Sequence, residues 1–146
     1  MSDKRIWFHT PSLASLNNTS HTMLGNVGIE FTEVGDDFVT ARMPVDKRTH
    51  QPVGLLHGGA SVTLAETLGS TGAMMCVDPE HFQVVGLEIN ANHVRGVKDG
   101  WVTGTARPLH RGRTTQLWEI KIVDDVGKLV CVSRITMAVL EKKPAA

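Results

Sequence analysis

The run LLHGGASVTLAETLGS, residues 55–70, limits the fold of this chain more than any other stretch. It opens on a glycine turn and continues as a helix that is apolar or small on nearly every side. A helix with no wet face has to be enclosed by other elements. One residue breaks the pattern. Glu66 places a carboxylate in the middle of the segment, and an unpartnered buried carboxylate is costly.

The helix is predicted from Gly58 or Gly59 to about Cys76. Strand-like runs lie on both sides of it. Val27, Ile29 and Phe31 alternate with Gly28, Glu30 and Thr32, and Val39, Ala41 and Met43 alternate with Thr40 and Arg42. That period of two marks strands with one solvated face. Gly35, Asp36 and Asp37 form the turn between them. Four more runs follow the helix: QVVGLEINANHV, WVTGTARPL, TQLWEIKIVD and KLVCVSRITMAVL. Asp99-Gly100 is read as a hairpin turn from the first of these to the second, and residues 124–127 from the third to the fourth. Near the start, Thr10 and Pro11 are read as the N-cap and first residue of a short helix. The fold class is α+β, a curled antiparallel sheet wrapped around one long central helix. Gly69 and Gly72 each cost about 1 kcal/mol in helix propensity. Close approach of the strands is one candidate offset.

With 146 residues and 41% hydrophobic content, the chain suits one domain, residues 1–146, with a core over residues 23–140. Fifteen basic and fifteen acidic residues cancel. That balance argues against a nucleic-acid partner, which calls for a basic excess. No run is apolar enough for a membrane span, and the first ten residues have no apolar signal-peptide core. Cys76 and Cys131 are distant in sequence and lie in apolar runs, so a cytoplasmic, reducing setting is expected. The seven histidines form no HxxxH pair and there is no CxxC, so no metal site is expected. GxSxG, GxGxxG and Walker motifs are absent as well.

The chemistry concentrates at the helix mouth. A helix N-terminus offers free N–H groups and a partial positive charge, and glycine lets a ligand approach closely. Gly58 is therefore a candidate oxyanion donor; a plain tight turn is the other reading. Glu66 is a candidate catalytic acid or base, or else a carboxylate that reaches solvent. Ser70, one turn later, shares its face. Gln51 is a candidate for hydrogen-bonding a substrate carbonyl or water, or a solvated loop amide. His57 reads as a loop support rather than a base. His93 and Arg95 end a strand. His110, Arg111 and Arg113 surround Gly112, either as a phosphate-binding group or as a solvated turn.

Gly58 and Glu66 are eight residues apart, about 12 Å along a helix. They cannot both reach one carbonyl carbon from a single chain. Two antiparallel helices in a symmetric homodimer solve this, each giving one end to a shared site.

The run QPVGLLHGGASVTLAETLGS, in this order of elements, resembles the hotdog-fold acyl-CoA thioesterases of the HGG type. The blocks GDDFVTARMPVDKRTHQPVGLLHGGASVTLAETLGS, VVGLEINANHVR and PLHRGR resemble one branch of that family. Its members hydrolyse 1,4-dihydroxy-2-naphthoyl-CoA in menaquinone biosynthesis or proofread aroyl groups in enterobactin synthesis. The resemblance implies homodimers with shared active sites, paired as dimers of dimers. It implies hydrolysis of aromatic acyl-CoA thioesters with broad tolerance. The alternatives are a proofreading thioesterase on aroyl groups of an acyl carrier protein and a non-catalytic acyl-CoA-binding module. No cofactor is implied; the CoA thioester is the substrate.

By motif position, Glu66 is the catalytic carboxylate, as general base or nucleophile. Gly58 polarises the carbonyl, Gln51 orients the thioester or water, His57 holds the carbonyl region, and Ser70 helps bind water. Gly86, His93, Val94, Arg95, Gly96, His110, Arg111, Gly112, Arg113, Thr114 and Thr115 line the pantetheine and nucleotide path. Met74, Met75 and the N-terminal segment are the residues expected to shape the acyl pocket.

Overall fold

The computed structural model describes residues 4–145. Its elements run α1 (Leu13–Leu16), α2 (Met23–Val27), β1 (Glu30–Val34), β2 (Val39–Pro44), α3 (Gly58–Met75), β3 (Phe82–His93), β4 (Trp101–Arg111), β5 (Thr115–Val123) and β6 (Leu129–Glu141). The six strands form one antiparallel sheet in the order β1-β2-β4-β5-β6-β3. The sheet curls around α3, which contacts β2, β3, β4, β5 and β6. This is the expected hotdog arrangement.

The inward rows of the strands explain the enclosure. Met43, Val102, Trp118, Ile120, Ile122 and Ile135 are fully buried against Leu64, Ala65 and Leu68 of α3. The helix glycines admit the largest of them. A Cβ on Gly72 would stand 2.7 Å from Trp118 Cζ3, and one on Gly69 would collide with Ile135. Close strand packing is thus the offset for their poor helix propensity.

Several local expectations are corrected. The short first helix begins after Ser12, whose Oγ accepts from Ser15 N–H at 3.1 Å, and not after Thr10; Pro11 lies outside it. Val27 ends α2, which the alternation had concealed. Gly28 at φ 77° closes that helix in the left-handed region, so β1 starts only at Glu30. Asp99-Gly100 is a turn but not a hairpin. β3 pairs with β6, while β4 pairs with β2 and β5. Residues 94–100 therefore carry the chain from one sheet edge to the interior, with Leu56 N–H donating to Val97 O at 2.8 Å on the way. Residues 1–5 and 141–146 read from the sequence as weak, frayed ends; residues 1–3 and 146 of them lie outside the described residues. Among those described, no helix is long and apolar enough to cross a membrane.

Candidate active site

His57 fixes the start of α3. Its Nδ1 accepts from Gly59 N–H at 2.8 Å, and its backbone N–H donates to Thr49 O at 2.8 Å. Because Nδ1 accepts, the ring proton belongs on Nε2. His57 thus occupies the loop-supporting place read from the sequence. Gly58 N–H is left over: it has no acceptor among the described residues and faces a cavity of about 440 Å³. A Cβ at Gly58 would lie 3.0 Å from His93 Nε2, so glycine lets the His93 ring close over the helix mouth.

Gln51 reaches the same cavity. Its Oε1 accepts from Val53 N–H at 2.6 Å, and its NH₂ has no acceptor among the described residues. Val94, Arg95 and Gly96 complete that lining, with Leu55, Leu56, Ser61 and Val130. Nothing beyond apolar or helical character marks the last four in the sequence. The loop holding Gln51 is tied by Asp46 N–H donating to Thr49 Oγ1 at 3.2 Å and Thr49 Oγ1–H donating to Pro44 O at 2.7 Å.

Glu66 lies two turns further along α3, outside this cavity. In the single chain it is half-buried, less enclosed than its apolar surroundings suggested. It lines a small cavity of about 150 Å³ with Gly86, Leu87, Glu88, Ile89 and Ile135. A bulge between Gly86 and Glu88 interrupts the β3–β6 register there. A Cβ on Gly86 would stand 3.1 Å from Glu66 Oε1. Ser70 shares this face, with its Oγ 3.9 Å from Met137 Sδ. Met137 was not singled out in the sequence, where it reads as one more apolar residue of a central strand.

The hairpin residues His110, Arg111, Gly112, Arg113, Thr114 and Thr115 are elsewhere. Arg111, Gly112 and Arg113 line a cavity with Cys76 at the C-terminal end of α3, opposite the Gly58 mouth. The two methionines separate as well. Met75 is 1% exposed, and its carbonyl accepts from Phe8 N–H (2.8 Å) and His9 N–H (3.3 Å). Met74 is 51% exposed and lines a cavity of about 270 Å³ with His9 and Val84.

One chain therefore presents two separated halves: donors at Gly58 and Gln51, and a carboxylate with a hydroxyl at Glu66 and Ser70. Residues 53–131 match the model of the Thioesterase superfamily. The chain belongs to that superfamily. It is similar to the 1,4-dihydroxy-2-naphthoyl-CoA hydrolase of Escherichia coli, 51% identical over 92% of this chain and 99% of that one. It is equally similar to the proofreading thioesterase EntH of Cronobacter turicensis, 51% identical over 92% of this chain and 98% of that one. The crystal structure of a mutant thioesterase from Pseudomonas aeruginosa superposes with TM-score 0.92 at 50% identity, covering 94% of this chain and 99% of that one. The protein is a thioester hydrolase of hotdog fold.

Proposed function

We propose that this thioesterase hydrolyses aromatic acyl-CoA thioesters, 1,4-dihydroxy-2-naphthoyl-CoA among them, at sites shared between two copies of the chain. The observation that carries the reading is the free Gly58 N–H facing a cavity that Glu66 of the same chain does not line. A partner's helix running antiparallel would bring the missing carboxylate to it.

Strand β3 suits that pairing. It is twelve residues long, ends the sheet, and exposes Val85 and Leu87, with exposed Val94 just past its end. A long apolar edge strand left open invites another chain. A dimer of dimers is the further assembly proposed with it.

In this reading the thioester oxygen accepts from Gly58 N–H and the Gln51 amide, supported by the α3 dipole. Glu66 takes a proton from water positioned with Ser70, and hydroxide adds to the carbonyl carbon. Collapse breaks the C–S bond, and the proton held by Glu66 passes to the departing CoA sulfur. In the alternative route Glu66 attacks the carbonyl carbon directly, the C–S bond breaks with CoA leaving as its thiolate, and water then cleaves the mixed anhydride, restoring Glu66 and supplying the proton that the thiolate takes up. Both routes release the free acid and CoA and need only the thioester and water. Gly86 and residues 93–96 flank the pantetheine. The 110–115 hairpin joins the nucleotide path only where assembly brings it to the mouth. The cavity beside Met74 takes the outer part of the acyl group. Cys76 and Cys131 are both free, which suits a cytoplasmic setting.

The test is thiol release from 1,4-dihydroxy-2-naphthoyl-CoA and benzoyl-CoA. Wild type turns both over, and Glu66→Ala lowers kcat at least about 10²-fold. Unchanged turnover in the variant contradicts the mechanism. Faster release from an aroyl carrier protein than from CoA would favour the proofreading role carried by the EntH relatives.

A further inference from the structure

Past the C-terminal end of α3, the concave face of the sheet continues into a cavity of about 370 Å³. Phe8, Phe82 and Val139 give it apolar walls, exposed Arg111 and Arg113 stand beside it, and Gln116 lines its buried end. Gln116 is 2% exposed. The Trp118 indole N–H donates to its Oε1 at 2.9 Å. Indole can only donate, so this bond fixes which amide atom faces Trp118. The Gln116 NH₂ is left pointing elsewhere, and it donates to nothing among the described residues. Among the described residues no buried side-chain nitrogen or oxygen is without a partner, so this NH₂ opens onto the cavity, where water or a ligand can accept from it.

We propose that this cavity binds an organic carboxylate. The apolar body lies against Phe8, Phe82 and Val139, one carboxylate oxygen accepts from the Gln116 amide, and a neighbouring guanidinium balances the charge. The phosphate end of CoA shares this oxyanion chemistry, but three features favour the monoanion. The deep donor is a neutral amide. The cavity adjoins the C-terminal, negative end of the α3 dipole. Asp78 also lines it. Each disfavours a dianion more than a carboxylate. The choice of a carboxylate rests on the hydrolytic reading, whose product is one. The site is distinct from the cavity that Glu66 lines but close to it. Gln116 pairs with Met137, and Met137 pairs with Gly86, so the three lie in one row across two strand spacings, about 10 Å.

Cys76 supplies the readout. It lines the same cavity and is half-buried, whereas Cys131 is fully buried. Alkylation of Cys76 by N-ethylmaleimide is followed by mass spectrometry, with 2-naphthoate or 3′-phospho-ADP present. At ten times its Kd, 2-naphthoate slows labelling about 10-fold. Gln116→Glu keeps the acceptor for Trp118 but replaces the donor, and it abolishes this protection. Arg113→Gln, which leaves the buried amide untouched, weakens it. Absence of protection, equal protection in Gln116→Glu, or protection by 3′-phospho-ADP alone would overturn the proposal; the last would give the cavity to the nucleotide. Labelling needs no turnover. Failure of the hydrolytic reading shows separately, as absent thiol release by wild type.

Discussion

Gly86 makes room for Glu66: any side chain at this strand position would begin 3.1 Å from the carboxylate Oε1. The β3 bulge and the missing Cβ together let the acid lie against the sheet, with Ser70 and Met137 beside it. The strand glycine is therefore part of how the acid is placed.

Gly86→Ala tests that directly. The added methyl displaces the Glu66 carboxylate by a few tenths of an ångström. Misplacement of a reacting group by 1 Å costs about 10²-fold, so a loss in kcat of about 10-fold is expected, with the melting temperature nearly unchanged. Steady-state kinetics and thermal unfolding on the same preparation check it. A stable variant with full kcat would show that Glu66 does not depend on the glycine.

His57 is predicted to act through the backbone of the α3 mouth. His57→Ala removes the acceptor for Gly59 N–H and should cost about 1 kcal/mol, the usual value of an N-cap side chain. His57→Asn supplies another capping oxygen and should restore most of that stability. Denaturant unfolding of the three proteins checks it. Equal stability of the Ala and Asn variants would contradict the capping role.

The loop that carries Gln51 has a pH signature. A hydrogen bond from the Arg48 guanidinium, then one from its backbone N–H, hold the Asp46 carboxyl down to about 2 from its ordinary 3.8. The folded value is the lower one. The stabilisation is therefore complete above the unfolded value and is lost as pH falls from 4 towards 2. Asp46→Asn lacks this component. Its melting temperature should fall less steeply than that of wild type across that window. Parallel slopes would show that the Asp46–Arg48 pair does not stabilise the fold.

The parts of the site legible in the sequence share one helix. α3 was visible because its composition is unbroken from Gly58 onward, and the Glu66–Ser70 face follows from helical spacing alone. Gly86 carried a weaker signal, a glycine interrupting a strand pattern, which marks a bulge or close approach. Strand order was not legible. Asp99-Gly100 has the composition of a hairpin turn, but such a dipeptide specifies a reversal and not which strand lies alongside. β3 pairs instead with β6, the last strand in the chain. The same limit hid the location of residues 110–115. Their basic character was plain, yet only the sheet order places them opposite the Gly58 mouth. Val27 misled because helix α2 and strand β1 join through Gly28 without breaking the apolar alternation.

The central claim is that Glu66 works on a thioester held by its partner's Gly58 and Gln51. Mixed dimers test it most directly. Glu66→Gln and Gln51→Ala chains, each of low activity alone, are co-expressed with different tags and the total activity is measured. In a mixed dimer one site keeps an intact Gln51 from one chain and an intact Glu66 from the other, while the second site carries both lesions. Random pairing should then restore about a quarter of wild-type activity. Activity no greater than the mean of the two parents would contradict a shared site.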